Sequence, residues 1–389
     1  MLALRLARGA HPLVQLRRLL VAAASAGTGF LLLCTLGHAL GHPETATNSL
    51  LRLAWCALPI AATVYFAVAV ARSDPGTQPR AGLSAVGLGP ARLTLLAAIS
   101  TAIACTLGSM LALLFFLHLR GDLSGLPFDG AASGLLAADR PLPLAATLTL
   151  LTWVPLAASA ASALALRPQL ARPVRDTEEP QEPAAAPTGL PWGFALLAAG
   201  LAVETYAASA RGAAGSRLPG GLTGSPTGVL VGWTLTALGL ALAGPGLTYL
   251  CGRALQSVRP SAVRLLAGRV LQEEARRVGR PLGVVCAVAS GAYAAATVYG
   301  EREGSAVGVG PLATLGAVLV VGCAVATLVT ASFEARQARR HTTQALLRIG
   351  APATALRGAV VMRACALLVV FGPLTWLVAE LSAAPLTAR

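Results

Sequence analysis

The chain has 389 residues, 55% of them hydrophobic and only 12% charged, and a mean hydropathy of +0.69. Soluble domains carry about a quarter charged residues, so this composition excludes an ordinary soluble enzyme and points to a membrane protein. The formal charge of +14 comes from 30 basic residues, all Arg, against 16 Asp and Glu. The absence of Lys reads as a codon bias toward Ala, Gly, Pro and Arg, so the positions of the Arg residues carry the information.

A helix that crosses a bilayer needs about 20 mostly apolar residues. Nine stretches qualify, at about 19–40, 53–71, 93–118, 142–166, 190–209, 228–250, 282–300, 312–333 and 358–381. Arg17 and Arg18 before the first run raise a signal peptide, but the length of that run predicts an uncleaved membrane helix. Near its end, His38 and His42 share a helix face. Gly41 and Pro43 end the helix there and no further ligand supports them, so they read as surface histidines rather than a metal site. The seven Cys are at least 22 residues apart and sit almost entirely in apolar runs, which predicts small buried hydrophobes rather than a disulfide or metal framework.

After the second run the chain reads LSAVGLGPARLTLLAAIS from Leu83. After the fourth comes 167–189, rich in Pro, Ala and Glu and without apolar periodicity, which predicts a cytoplasmic linker. The fifth run contains Glu204, a costly residue in a membrane unless paired or wet. It reads either as a polar contact in a substrate path or, if this span ends early, as a residue near the outer interface. The sixth run carries Gly244, Pro245 and Gly246 near its end.

From Arg259 the chain reads RPSAVRLLAGRVLQEEARRVGRP, with Val263, Leu266, Val270 and Leu271 at helical spacing among Arg264, Arg269, Arg276, Arg277 and Arg280. Ser261 suits a helix start, and Gly279 with Pro281 suits a stop. The expectation is a separate interfacial helix along the inner leaflet, its Arg residues meeting anionic head groups. Arg363, near the inner end of the last run, is expected to snorkel to head groups. Basic charge placed this way does not call for nucleic acid.

With the N-terminus in the cytoplasm, 22 Arg fall in inner segments and seven in outer ones, with Arg363 inside the last run. That bias predicts a cytoplasmic N-terminus and an extracytoplasmic C-terminus. The connecting loops are too short to hold a folded domain, and no GxxxxGK[ST] phosphate loop occurs in a chain without Lys.

Two inner segments match at an offset of 263 residues: Leu83 with Leu346, Val86 with Ile349, Gly87 with Gly350 and Leu93 with Leu356. VAAASAG from Val21 matches VCAVASG from Val285 at an offset of 264. The near-equal offsets predict a parallel internal repeat in an all-α, polytopic fold of about nine spans. Each Gly is expected to allow a compact turn at the inner face, with Leu83, Val86, Leu346 and Ile349 as an apolar ridge or a simple interfacial anchor. The repeat divides the chain into 1–166 with four spans, the linker 167–189, two intervening spans over 190–250, and 251–389 with three spans.

Three passages, AVRLLAGRVLQEEARRVGRP, TLVTASFEARQARRHTTQALLRIGAPATALRGAVVMRACALLV and ARSDPGTQPRAGLSAVGLGPARLTLLAAIS, together resemble the FtsX-like permease family, membrane components of ABC transporters of the MacB and lipoprotein-release type. The resemblance touches about two thirds of the chain and departs from many members in its short extracytoplasmic loops and in the missing fourth span of the second unit. It implies an inner-membrane permease, not itself an enzyme and without a cofactor of its own. A separate cytoplasmic ABC-type ATPase would bind the ATP and couple through the turns at Leu83–Arg92 and Leu346–Arg357. The cargo would be a lipid, an amphipathic peptide or a drug-like molecule, moved by a homodimer or a pseudo-symmetric assembly surrounded by membrane lipids. A non-transporting scaffold or regulatory subunit is the alternative, and a secondary transporter comes third. Reporter fusions at Pro183 and Glu301 are expected to report cytoplasm for the first and exterior for the second; the reverse pattern overturns the orientation.

Overall fold

The computed structural model describes residues 12–74, 90–122, 130–134, 136–170, 186–209, 226–257, 261–300 and 310–387. Among these residues the fold is all-α. The helices are α1 (Pro12–Gly41), α2 (Ala46–Trp55), α3 (Ala57–Ser73), α4 (Pro90–Arg120), α5 (Leu144–Leu170), α6 (Leu190–Ser209), α7 (Pro226–Ser257), α8 (Ala262–Gly300), α9 (Pro311–Ala338), α10 (Arg340–Arg348) and α11 (Ala353–Thr387). Nine helical stretches among the described residues are long and apolar enough to cross a membrane, one for each expected run, with α2 and α3 together supplying the second. The chain is a polytopic all-α membrane protein. Its helices group into two compact bodies, one of Met1–Asp176 with Pro311–Thr327 and the other of Thr177–Gly310 with Leu328–Arg389, so α9 is divided between them.

In the first body, α1 is built into the core. It runs antiparallel to α3, with the Thr28 and Thr63 hydroxyls 2.8 Å apart at mid-helix. At one end of the pair Arg17 donates to the Ser73 hydroxyl at 3.2 Å and Arg18 pairs with Asp74. Parallel to α1 lies α4, where Ser25 donates to the Cys105 carbonyl at 2.8 Å and Phe30 meets Phe116 edge-on at 6.4 Å. Ser109 of α4 donates to the Leu151 carbonyl of α5 at 3.1 Å. Hydroxyls and small residues suit such an interior, because apolar side chains gain little by leaving lipid for protein. Cys34, Cys56, Cys105, Cys251, Cys286 and Cys323 are buried and free, as expected, while Cys365 is exposed. At the far end of α4, the buried Arg120 donates to the Ala137 and Arg140 carbonyls and ties the helix end to residues 137–140.

The second body is assembled on α7, which uses glycine on two faces. On one face Gly232, Gly239 and Gly246, seven residues apart, lie against Glu204, Leu197 and Leu190 of the antiparallel α6. On the other face Leu240, Gly244 and Gly252 meet Gly283, Gly279 and Gly268 of α8. A Cβ on Gly252 would lie 2.6 Å from the Gly268 carbonyl oxygen, and one on Gly268 would lie 2.5 Å from that of Gly252, so the backbones touch. Small residues permit this approach, and dispersion between close backbones stabilises it.

This packing corrects the expected interfacial helix. Ser261 does start the helix, accepting the Arg264 backbone N–H at 3.3 Å. However, α8 continues through Gly279 and Pro281 to Gly300, 39 residues without a break. Gly279 serves close approach, since a Cβ there would lie 2.6 Å from Pro245 Cα. It is therefore a packing residue, and an internal Pro is tolerated where neighbouring helices support the backbone. At about 1.5 Å per residue α8 spans about 58 Å, roughly twice a bilayer core. Arg269, Arg276, Arg277 and Arg280 stand on its exposed side and Arg264 is half-buried. The Gly244–Pro245–Gly246 step likewise lies inside α7.

In the second sequence match the two serines are one position out of register, since Ser25 falls opposite Ala289: Ser25 bonds across to α4, and Ser290 donates to the Ala287 carbonyl of its own helix at 3.0 Å. Leu83, Val86 and Gly87 lie outside the described residues, as does most of the 167–189 linker. Gly244→Leu is expected to destabilise the protein by about 3 kcal/mol through overpacking, read by denaturation in detergent. Gly291→Ala, with nothing within 4 Å of the added Cβ, should leave stability unchanged.

Candidate functional site: a clamped helix turn

Helix α9 ends in ARQARRHTTQALLRIGAP, where the chain turns twice within 15 residues. Arg339 is the joint between α9 and α10. Its φ and ψ of −91° and 0° are near-helical, and its backbone N–H donates to the Gln337 carbonyl instead of continuing the α-helical ladder. The second turn closes α10. The Ala351 N–H donates to the Leu346 carbonyl at 3.0 Å and the Gly350 N–H to the Leu347 carbonyl at 3.1 Å. This pair of bonds is a Schellman cap, and it requires the left-handed conformation that Gly350 adopts at φ +94°. Pro352 then precedes α11, where a missing N–H costs no intrahelical bond.

The cap sets what the turn displays. Ile349 is 84% exposed at its tip, with Leu347 exposed beside it. Leu346 points partly inward and is half-buried. Of the expected ridge, then, Ile349 faces outward, Leu346 packs, and Leu347 takes its place on the surface.

A single carboxylate fixes this turn to the helices around it. Glu274 of α8 lies 2.6 Å from Arg339 Nε and 3.9 Å from Arg363 Nη1. Arg339 precedes α10 and Arg363 follows it on α11, so Glu274 holds both ends of the excursion against α8. The three side chains are 14–25% exposed, which makes this a largely desolvated cluster. In such surroundings an unpaired ion costs several kcal/mol, and opposite charges with supporting hydrogen bonds offset that cost. Arg339 Nε and Arg363 Nε each donate to a carbonyl one turn back in their own helices, Ala335 and Ala359, both at 3.2 Å. Arg363 is thus a clamp residue, which corrects its expected role as a free snorkelling side chain. Its partner drew no notice in the sequence, where Glu273 and Glu274 are an acidic pair within the Arg-rich run; that isolation is the one available signal. Glu273 pairs instead with Arg269 at 3.9 Å on the exposed side.

Glu204 is far from this cluster in the chain and lies inside the span. It sits on α6 five residues before the helix end, is 3% exposed, and accepts the Thr236 hydroxyl of α7 at 3.0 Å. The Ser382 hydroxyl of α11 faces the same carboxyl. Gly232 makes the space, since a Cβ there would collide with Glu204 Cγ. Glu204 is a buried polar link among three helices, three residues before the end of its apolar span.

Among the described residues no group of three or more His, Cys, Asp and Glu side chains could hold a metal. The His38 and His42 rings stack at 4.4 Å. No family model, curated protein or solved structure matches the chain.

The clamp makes a measurable claim. Glu274→Gln is expected to lower stability by about 2 kcal/mol, less than the 3–5 typical of a fully buried broken pair because these side chains retain some solvent contact. The charge swap E274R/R339E should regain part of that loss in the same thermal unfolding assay, while E273Q stays near wild type.

Proposed function

We propose that the chain is the transmembrane permease subunit of an ABC-type transporter of the inner membrane, driven by a separate cytoplasmic ATPase. In this reading the N-terminus is cytoplasmic and the C-terminus extracytoplasmic, in line with the Arg bias. The observation that carries it is the turn at Leu346–Gly350. An exposed apolar tip on a short capped helix, held at both ends to long membrane-crossing helices, is the form expected of a part that receives force from a soluble partner. The resemblance of this same passage to FtsX-like permeases supports the reading.

Coupling would run through the Glu274 clamp. A displacement of α10 pulls on Arg339 and Arg363 together, and through Glu274 on α8. Long helices transmit such a push with little loss, because backbone hydrogen bonds along the axis resist compression. Within the same body, α11 also carries Ser382 against Glu204, so its movement reaches α6 and α7. ATP chemistry belongs to the partner, and the lipid, peptide or drug-like cargo is moved by rearrangement of the spans.

Co-expression with a stand-alone ABC-type ATPase, recognised by its phosphate loop, supplies the test. Wild-type protein should retain that ATPase through affinity purification from membranes. Ile349→Asp and Gly350→Glu should each reduce retention at least ten-fold, while Glu44→Gln leaves it unchanged. Retention of the ATPase by properly inserted Ile349→Asp protein would remove the turn as the docking element.

A further inference from the structure

The corner between α9 and α10 forms a groove of about 540 Å³ lined by Phe333, Arg336, Gln337, Arg340, Thr343 and Gln344. Its lining holds two guanidiniums, three neutral polar side chains and one aromatic wall, and no carboxylate. Arg336 and Arg340 are four residues apart, one on each side of the Arg339 joint, and exposed, and neither has an ion-pair partner among the described residues. The neighbouring carboxylates are committed elsewhere: Glu274 to Arg339 and Arg363, and Glu273 to Arg269. Glu334, on the adjacent turn, is half-buried and does not line the groove. The groove is therefore a local excess of positive charge.

Its location selects the anion. Arg336 and Arg340 stand at the end of a span, the level at which a bilayer presents its head groups. Val329, 46% exposed, and Phe333, 40% exposed, lie four residues apart on α9 and lead from the apolar span into the groove. A guanidinium pair suits a phosphate diester, which it binds through paired charge-assisted hydrogen bonds. Gln337, Thr343 and Gln344 offer amide and hydroxyl donors to a polar headgroup, and Phe333 offers an apolar face to the start of an acyl chain. We propose that this groove binds an anionic phospholipid, with the headgroup phosphate between Arg336 and Arg340 and an acyl chain passing Phe333 and Val329. The proposal needs only that the chain spans a membrane, so it stands apart from the ATPase reading.

The test uses full-length protein in a nonionic detergent, given phosphatidylglycerol and phosphatidylcholine with identical acyl chains, and native mass spectrometry to count retained lipids. Wild type should hold phosphatidylglycerol in clear preference to phosphatidylcholine. R336Q/R340Q should weaken phosphatidylglycerol retention about 25-fold, roughly five-fold for each Arg near a membrane surface. R276Q/R280Q removes equal charge from the exposed side of α8 and should change retention less than three-fold. If R336Q/R340Q fails to run as a monodisperse species, R340Q alone decides, with about a five-fold loss expected. Equal retention of the two lipids by wild type overturns the proposal, as does an equal loss in both double variants. Loss of a co-purifying protein from R336Q/R340Q with phosphatidylglycerol retention unchanged also overturns it and makes the groove a protein contact.

Discussion

In a bilayer an apolar side chain gains almost nothing by exchanging lipid for protein, so helices associate where their backbones come close. In the second body that condition is met on α7. Gly232, Gly239 and Gly246 admit α6 on one side, and Gly244 and Gly252 admit α8 on the other. The two rows follow different spacings, which lets one helix serve two neighbours. Side chains larger than hydrogen at these positions would separate the three helices by several tenths of an ångström at least, and the polar contacts that depend on their register would fail with them. The Glu204–Thr236 bond is one of these. It exists because Gly232 leaves room for a carboxylate between α6 and α7.

The same packing explains the charged clamp. Glu274 presents its carboxylate to Arg339 and Arg363 because α8 does not end at Pro281, and the tight contact with α7 carries the Arg-rich half of the helix straight on. A separate helix lying on the leaflet would have put that carboxylate in water, where a salt bridge is worth little. Placed against two guanidiniums at the foot of α10, it becomes the link through which a force on the turn would reach α8 and α11. Arg336 and Arg340 are left uncommitted by the same arrangement. The clamp takes one Arg of this cluster from α9's end and one from α11, and the remaining two face the groove.

Legibility followed the range of the interaction. Apolar runs of membrane length, the start of α8 at Ser261 and the left-handed Gly350 all rest on contacts within a few residues, and all were readable. The extent of α8 is not legible locally because Gly279 and Pro281 carry a stop signal, while the partners of Gly279, Gly244 and Pro245, are more than 30 residues away in the chain. The partners of Arg363 and Glu204 are illegible for a related reason. A single charge in an apolar run shows its cost but not its partner, and both partners, Glu274 and Thr236, lie on other helices.

By itself the sequence determined that this is an all-α protein of many spans, where its spans lie and where its basic residues concentrate, because hydrophobic length, capping and charge bias are properties of contiguous residues. Only the tertiary structure decided that α8 is continuous, that Glu274 clamps the α10 turn, that Glu204 is enclosed, and that Arg336 and Arg340 share a groove. Each of these depends on two backbones meeting at a distance set by side chains far apart in the chain, and a one-dimensional pattern does not encode which faces meet.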